Sequence, residues 1–154
     1  MPVNHDIRRA NPNDAAAISE IILAALWETN ARDYGPEIIE QVERSFTPPQ
    51  VEELIRKREV LVALVDGRVT GTASLEGEWV RTVFVIPEAQ GTGIGRRLMA
   101  EIEDLARRAG LVTLRVPSTV TAERFYNKLG FKAVRDSYYG DERTIIMEKH
   151  LFAR

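Results

Sequence analysis

Val85-Ile86-Pro87-Glu88-Ala89-Gln90-Gly91-Thr92-Gly93-Ile94-Gly95-Arg96-Arg97-Leu98 is the stretch on which the reading of this chain turns. It begins as the end of a strand, Val80 to Ile86, which Pro87 stops because proline has no N–H for a strand ladder. Downstream, Ile94, Leu98, Ile102, Leu105 and Ala109 recur at helical spacing until Gly110 closes the pattern. Between strand and helix lie three glycines in five residues. Such a loop lets the backbone approach a ligand closely and aims successive N–H groups at it. The helix that follows adds N–H groups with no internal partner, and the combination is an anion site. The charges agree. The first turn has no acid and carries Arg96 and Arg97, which disfavours an isolated helix by roughly 0.3–1 kcal/mol per charge. A bound polyphosphate reverses that sign.

Other readings of the loop compete with this one. A solvated glycine turn whose arginines simply reach water is the plainest. A phosphate loop of the NTPase type needs Gly-Lys-Ser/Thr, and Gly95 is followed by Arg96-Arg97. A dinucleotide fingerprint needs glycine at position 96 and a loop directly after the strand, but Pro87 to Gln90 intervene. Both fail.

Working outward, the flanks alternate strand and helix, which predicts an α/β fold with a mixed sheet and helices on both faces. His5 to Ala10 reads as a strand, and Asn11-Pro12-Asn13-Asp14 as a capped helix start leading into Ile18, Ile21, Ile22, Ala25 and Leu26. After the break at Tyr34-Gly35-Pro36, Ile38, Ile39, Val42 and Phe46 mark a second helix and Pro48 to Arg58 a short third. Val60 to Val65 is an unbroken apolar strand. Asp66-Gly67 predicts a hairpin returning through Arg68 to Leu75. Val112, Leu114 and Val116 alternate as a strand. Ala122, Phe125 and Leu129 form a helical stripe closed by Gly130, with Phe131 packing back on it. Strands near Phe131 to Val134 and Arg143 to Lys149 bring the expected total to about seven.

Composition limits the partners. The chain has 154 residues, suited to a single domain over residues 1–154, with a net charge of −2 and no cysteine. No global field points to nucleic acid or an acidic membrane. Disulfides, thiolate metal sites and a cysteine nucleophile are excluded. His5 and His150 have no partner at ligand spacing, so no metal is expected. The leader from Met1 to Asp6 has no signal pattern and no apolar stretch is long enough for a membrane helix, so a cytoplasmic protein is expected.

The quoted stretch resembles the GNAT superfamily of N-acetyltransferases, whose signature is Gln or Arg, two residues, Gly, one residue, then Gly or Ala, after a Val-x-Pro strand end. Gln90, Gly93 and Gly95 match it. Ala122-Glu123-Arg124-Phe125-Tyr126-Asn127-Lys128-Leu129-Gly130-Phe131 resembles the later helix of that family, and the order of elements agrees over nearly the whole chain. The resemblance implies a GNAT-like fold with acetyl-CoA as co-substrate. Its pantetheine arm would lie in a splayed cleft between the Val80–Ile86 and Val112–Val116 strands. Val83, Phe84 and Val85 would border that arm. Gln90, Gly91, Thr92, Gly93, Ile94, Gly95 and Arg96 would hold the pyrophosphate. Many relatives have Asn three residues before the position of Ala122; here it is Thr119, and Thr119 or Ser118 would make that cofactor contact.

The resemblance also places Tyr126 beside the sulfur, either as general acid or as packing that only touches the cofactor. Glu78, just before its strand, is the candidate base, with Glu76 as neighbour and a solvated role open to both. Arg81 alternates with Val83 and faces either the acceptor site or solvent. Tyr34, Trp27 and Trp79, with Tyr138 and Tyr139 from a late loop, would wall the acceptor pocket; for Trp27 the helical stripe also predicts core packing. The expected activity is N-acetylation of a primary amine by a monomer or homodimer. A non-catalytic acyl-CoA-binding module and an interaction module without ligand are the alternatives.

Overall fold

The computed structural model describes residues 5–152, with His5 by its backbone alone; Met1 to Asn4, most of the leader read above, lie outside the described residues. Among the described residues seven strands form one mixed sheet: β1 (His5–Arg9), β2 (Glu59–Val65), β3 (Arg68–Glu76), β4 (Trp79–Val85), β5 (Thr113–Thr119), β6 (Lys132–Tyr139) and β7 (Glu142–His150). Their spatial order is β1-β2-β3-β4-β5-β7-β6, and every neighbouring pair is antiparallel except β4 with β5. The helices are α1 (Ala15–Glu28), α2 (Pro36–Glu43), α3 (Pro48–Lys57), α4 (Ile94–Arg108) and α5 (Glu123–Lys128).

Each face of the sheet has its own core. On one side Ile18, Ile22 and Leu26 of α1, Ile39 of α2 and Val51 of α3 pack on Val60 and Val62. On the other, Ile94, Leu98, Met99, Ile102 and Ala106 of α4 pack on Leu61, Ala73, Val80, Leu114 and Met147. The continuous apolar run of β2 follows from this, because alternate residues feed opposite cores.

Local chemistry sets several element ends. Asn11 and Asp14 form a reciprocal cap around a single 3-10 turn, Pro12–Asp14, that opens into α1. Asp66 and Gly67 both have positive φ, 51° and 82°, as a type I′ hairpin turn requires. The structure corrects several of the expectations. The buried stripe of α4 runs through Met99, Glu103 and Ala106, whereas Ala109 is exposed. Val112 lies outside β5 and is exposed. Tyr138 and Tyr139 belong to strand β6 rather than to a late loop, paired with Arg143 and Glu142.

Candidate active site

The sheet parts in the middle. β4 and β5 share a single residue pair, Trp79 with Arg115, reinforced by the Arg115 N–H donating to the Glu78 carbonyl at 2.9 Å. From Val80 onward the β5-facing edge of β4 has no strand partner among the described residues. β4 itself is bent by a bulge: Thr72 pairs with Phe84 and Ser74 with Arg81, so Thr82 and Val83 both oppose Ala73. Thr82 takes φ 53°, a left-handed conformation that costs a β-branched residue about 1–2 kcal/mol. Beyond the bulge Val83 and Val85 pack into the α4 core, while Phe84 turns to the α1 side and meets Phe46 edge-on.

The glycine loop stands at the open end of this cleft. Gly91 and Gly93 have φ of 80° and 91°, and Gly93 is the N-cap of α4. Main-chain bonds in the loop run from Gln90 N to Pro87 O, from Thr92 N to Ala89 O and from Arg97 N to Gly93 O. The N–H groups of Gly91, Gly93, Ile94, Gly95 and Arg96 have no main-chain acceptor among the described residues. Arg96 and Arg97 are exposed beside them. Gln90 works differently. Its side-chain amide donates to Thr29 Oγ1 at 3.1 Å and to the Val85 carbonyl at 3.2 Å, clasping the loop to the end of β4 and to the residue after α1. Gly95 is needed for close approach, since a Cβ there would lie 3.2 Å from the Phe125 ring of α5.

Tyr126 is fully packed between Phe125 and Phe131, each edge-on to it at 5.1 and 5.6 Å. Burial pushes its phenol well above the usual tyrosine range, so the hydroxyl stays protonated at any ordinary pH. Thr119 ends β5 and accepts the Ala122 N–H on Oγ1 at 3.1 Å, which caps the turn into α5. Ser118 is buried and donates to the Thr119 carbonyl.

The acids and arginines sort into two groups. Glu78 lies where β4 and β5 still touch, 3.4 Å from Arg115 Nε, and Arg115 also reaches Glu148 at 2.6 Å. Glu76 lies between two arginines, 3.7 Å from Arg58 Nε and 3.6 Å from Arg81 Nε. Arg81 stacks over Trp79 at 5.2 Å, and Arg58 Nη1 donates to Thr82 Oγ1 at 3.1 Å. Burial holds the Arg58 guanidinium below its ordinary value, with Glu76 opposing the shift and Arg81 adding to it. Sequence reasoning misses Arg58, which reads there only as the last residue of a short helix; the fold alone brings it to Thr82.

Trp27, for which the stripe predicts core packing, is instead 41% exposed, with Nε1 donating to Glu43 at 2.7 Å. Tyr34 is half-buried and its hydroxyl is doubly engaged: it donates to the Arg143 carbonyl at 2.6 Å and accepts the Val120 N–H at 2.7 Å. It therefore ties the segment after α1 to the ends of β5 and β7. Burial raises its phenol, and so does Glu142, whose own carboxyl burial also raises. Tyr138 and Tyr139 are exposed.

A mixed seven-stranded sheet, parted between β4 and β5 with a glycine loop at the open end of the gap, is the arrangement that the sequence resemblance implies. Residues 30–151 match the family model described as acetyltransferase (GNAT) domain. The sequence is 34% identical over 113 residues to a protein named IAA acetyltransferase from Azospirillum brasilense, spanning 70% of this chain and 73% of that one. The fold matches a GCN5-related N-acetyltransferase from Rhodopseudomonas palustris with a TM-score of 0.90 at 25% identity, over 97% and 98% of the two chains. It also matches YncA of Salmonella typhimurium, solved with acetyl-CoA, with a TM-score of 0.66 at 26% identity over 97% and 95%. The chain belongs to the GNAT family of acetyltransferases, and its chemistry is N-acetyl transfer.

Proposed function

We propose that this protein transfers acetyl from acetyl-CoA to a primary amine by direct attack on the thioester. The observation that carries the reading is the parting of β4 from β5 with five loop amides at its open end that have no main-chain acceptor among the described residues. In this reading the pantetheine arm lies along Val83, Phe84 and Val85 in place of the missing strand. The amides from Gly91 to Arg96 hold the diphosphate, with Arg96 supplying charge and Gln90 and Thr92 shaping the loop. Thr119 donates its free hydroxyl hydrogen to the arm.

The amine must lose a proton before it attacks. For a lysine-like amine of pKa near 10.4, reaching the neutral form at pH 7 costs about 4.6 kcal/mol. Holding amine and thioester together supplies roughly 7–11 kcal/mol, so positioning dominates. A main-chain N–H of β4 near the bulge stabilises the oxyanion. Glu78 receives the amine proton through water. Tyr126, held protonated by burial, gives its proton to the departing thiolate and recovers one from solvent. Tyr34 fixes the wall of the acceptor side, and Arg81 and Trp27 stand toward it.

The test is CoA release measured against a panel of amines. Thiol appearing only when both acetyl-CoA and an amine are present supports the reading. Tight cofactor binding with no amine-dependent release anywhere in the panel overturns it in favour of a cofactor sensor.

A further inference from the structure

Arg81 and Arg58 form an unusual pair. No nitrogen of the Arg81 side chain donates a hydrogen bond within the described residues, and its Nε is buried without a partner. Arg58 uses one nitrogen on the neutral Thr82 hydroxyl and leaves its own buried Nε unpaired. Two other arginines also bury an unpaired Nε, but each has a carboxylate on another nitrogen: Arg115 on Glu148 at 2.6 Å and Arg143 on Asp136 at 3.3 Å. Among the described residues Arg58 and Arg81 share only Glu76, one of whose oxygens lies 3.7 and 3.6 Å from the two Nε atoms, outside hydrogen-bond range. Glu76 is itself 46% exposed, so the contact is a loose surface ion pair of little energetic weight.

The bulge explains the convergence. In a regular strand Thr82 would point with Val80 toward α4, opposite to Arg81. Because the bulge adds a residue, Arg81 and the strained Thr82 project to the same face, that of α1 and α3, where Thr82 and Arg58 line a small cavity with Ile18, Leu54 and Ile55. The Thr82 hydroxyl accepts from Arg58 and keeps its own hydrogen for another acceptor. Backbone strain is thus used to gather three donors, two of them cationic, beside the strand edge at which the sheet parts.

We infer that Arg58, Arg81 and Thr82 form a carboxylate subsite, and that the acceptor is an amino-carboxylic acid of the α-amino acid type, whose carboxylate displaces Glu76. This rests on the acetyltransfer reading above and specifies its substrate class. Guanidinium forks fit carboxylates in bidentate fashion, and each such charged bond discriminates more sharply than a neutral one. In an α-amino acid the nitrogen is two covalent bonds from the carboxylate carbon. An acid held at the bulge therefore presents its amine next to β4, where the thioester of an arm lying along Val83 to Val85 ends.

The experiment compares L-amino acids with their own amides, using L-leucine and L-leucinamide as the first pair. CoA-release kinetics are followed at saturating acetyl-CoA, and calorimetric binding is measured on the CoA-loaded protein. The acid is expected to be favoured over the amide by about 10–100-fold in kcat/KM and in affinity, the range for one or two charged hydrogen bonds. Arg81→Ala and Arg58→Gln should each collapse that ratio toward one, while Glu76→Gln should lower KM for the acid several-fold by removing the competing carboxylate. A purely structural role for these residues would not produce the last result. Equal use of acids and amides across the panel, with Glu76→Gln leaving KM for the acid unchanged, overturns the subsite while leaving the enzyme intact. A protein that binds the acid but releases CoA with no amine keeps the subsite and loses the acetyltransfer reading.

Discussion

Tyr126 concentrates the chemistry at the scale of a single side chain. Its phenol is buried among Phe125 and Phe131, and burial raises its pKa, so it remains protonated across the working range. Tyr126→Phe should then lower kcat by about 10²-fold or more while KM for acetyl-CoA changes little, as steady-state kinetics would show. Because the pKa is raised and not lowered, the wild-type profile should show no alkaline loss from this group below about pH 10. Full turnover in the phenylalanine variant would reduce Tyr126 to packing. Gly93 is the second decisive residue. At φ 91° any Cβ is strained even though none of the described residues comes within 4 Å of it, so Gly93→Ala should cost about 1–2 kcal/mol in denaturant melts and weaken CoA binding in calorimetry.

At the scale of elements, the start of α1 gives a pH prediction. Asp14 accepts two bonds from Arg8, at 2.8 and 3.0 Å, and one from the Asn11 N–H at 2.8 Å. The Arg8 hydrogen bonds come first among the causes that hold its carboxyl below the usual range, against the opposing effect of burial. A carboxyl depressed on folding contributes fully above its unfolded value near 3.9 and loses that contribution as pH falls through the folded value. Asp14→Ala should therefore cost about 1–2 kcal/mol at pH 7 and progressively less below about pH 4, read from urea midpoints.

The elements also show what is legible in the sequence. The β2–β3 hairpin is, because Asp66-Gly67 has the residues a type I′ turn demands. The glycine loop is, because glycine and charge there contradict an ordinary helix start. The full length of β6 is not: Lys132 to Asp136 are all exposed, so this edge strand carries no burial alternation to read. The bulge in β4 is hidden because threonine is a normal strand residue, and nothing local announces a positive φ. The pairing of Arg58 with Arg81 depends on α3, β3 and β4 meeting, a contact that no spacing encodes. Likewise the hydrogen bonds of Tyr34 span 86 and 109 residues, and the sequence places it only in a functional turn.

For the whole molecule, the open seam between β4 and β5 implies that cofactor and fold are coupled, because an arm lying in the seam bridges the two halves of the sheet. A ligand that binds only the folded state adds about 2.7 kcal/mol of stability at a hundredfold excess over Kd. For a chain of this size that corresponds to a rise in Tm of roughly 5–10 °C, measurable by thermal unfolding with and without acetyl-CoA. The most direct measurement is a crystal structure with CoA. The diphosphate is expected within about 3 Å of the amide nitrogens of Gly91, Gly93, Gly95 and Arg96, and the pantetheine arm between β4 and β5. A diphosphate bound elsewhere, with that loop unengaged and the seam between the strands closed, would contradict it.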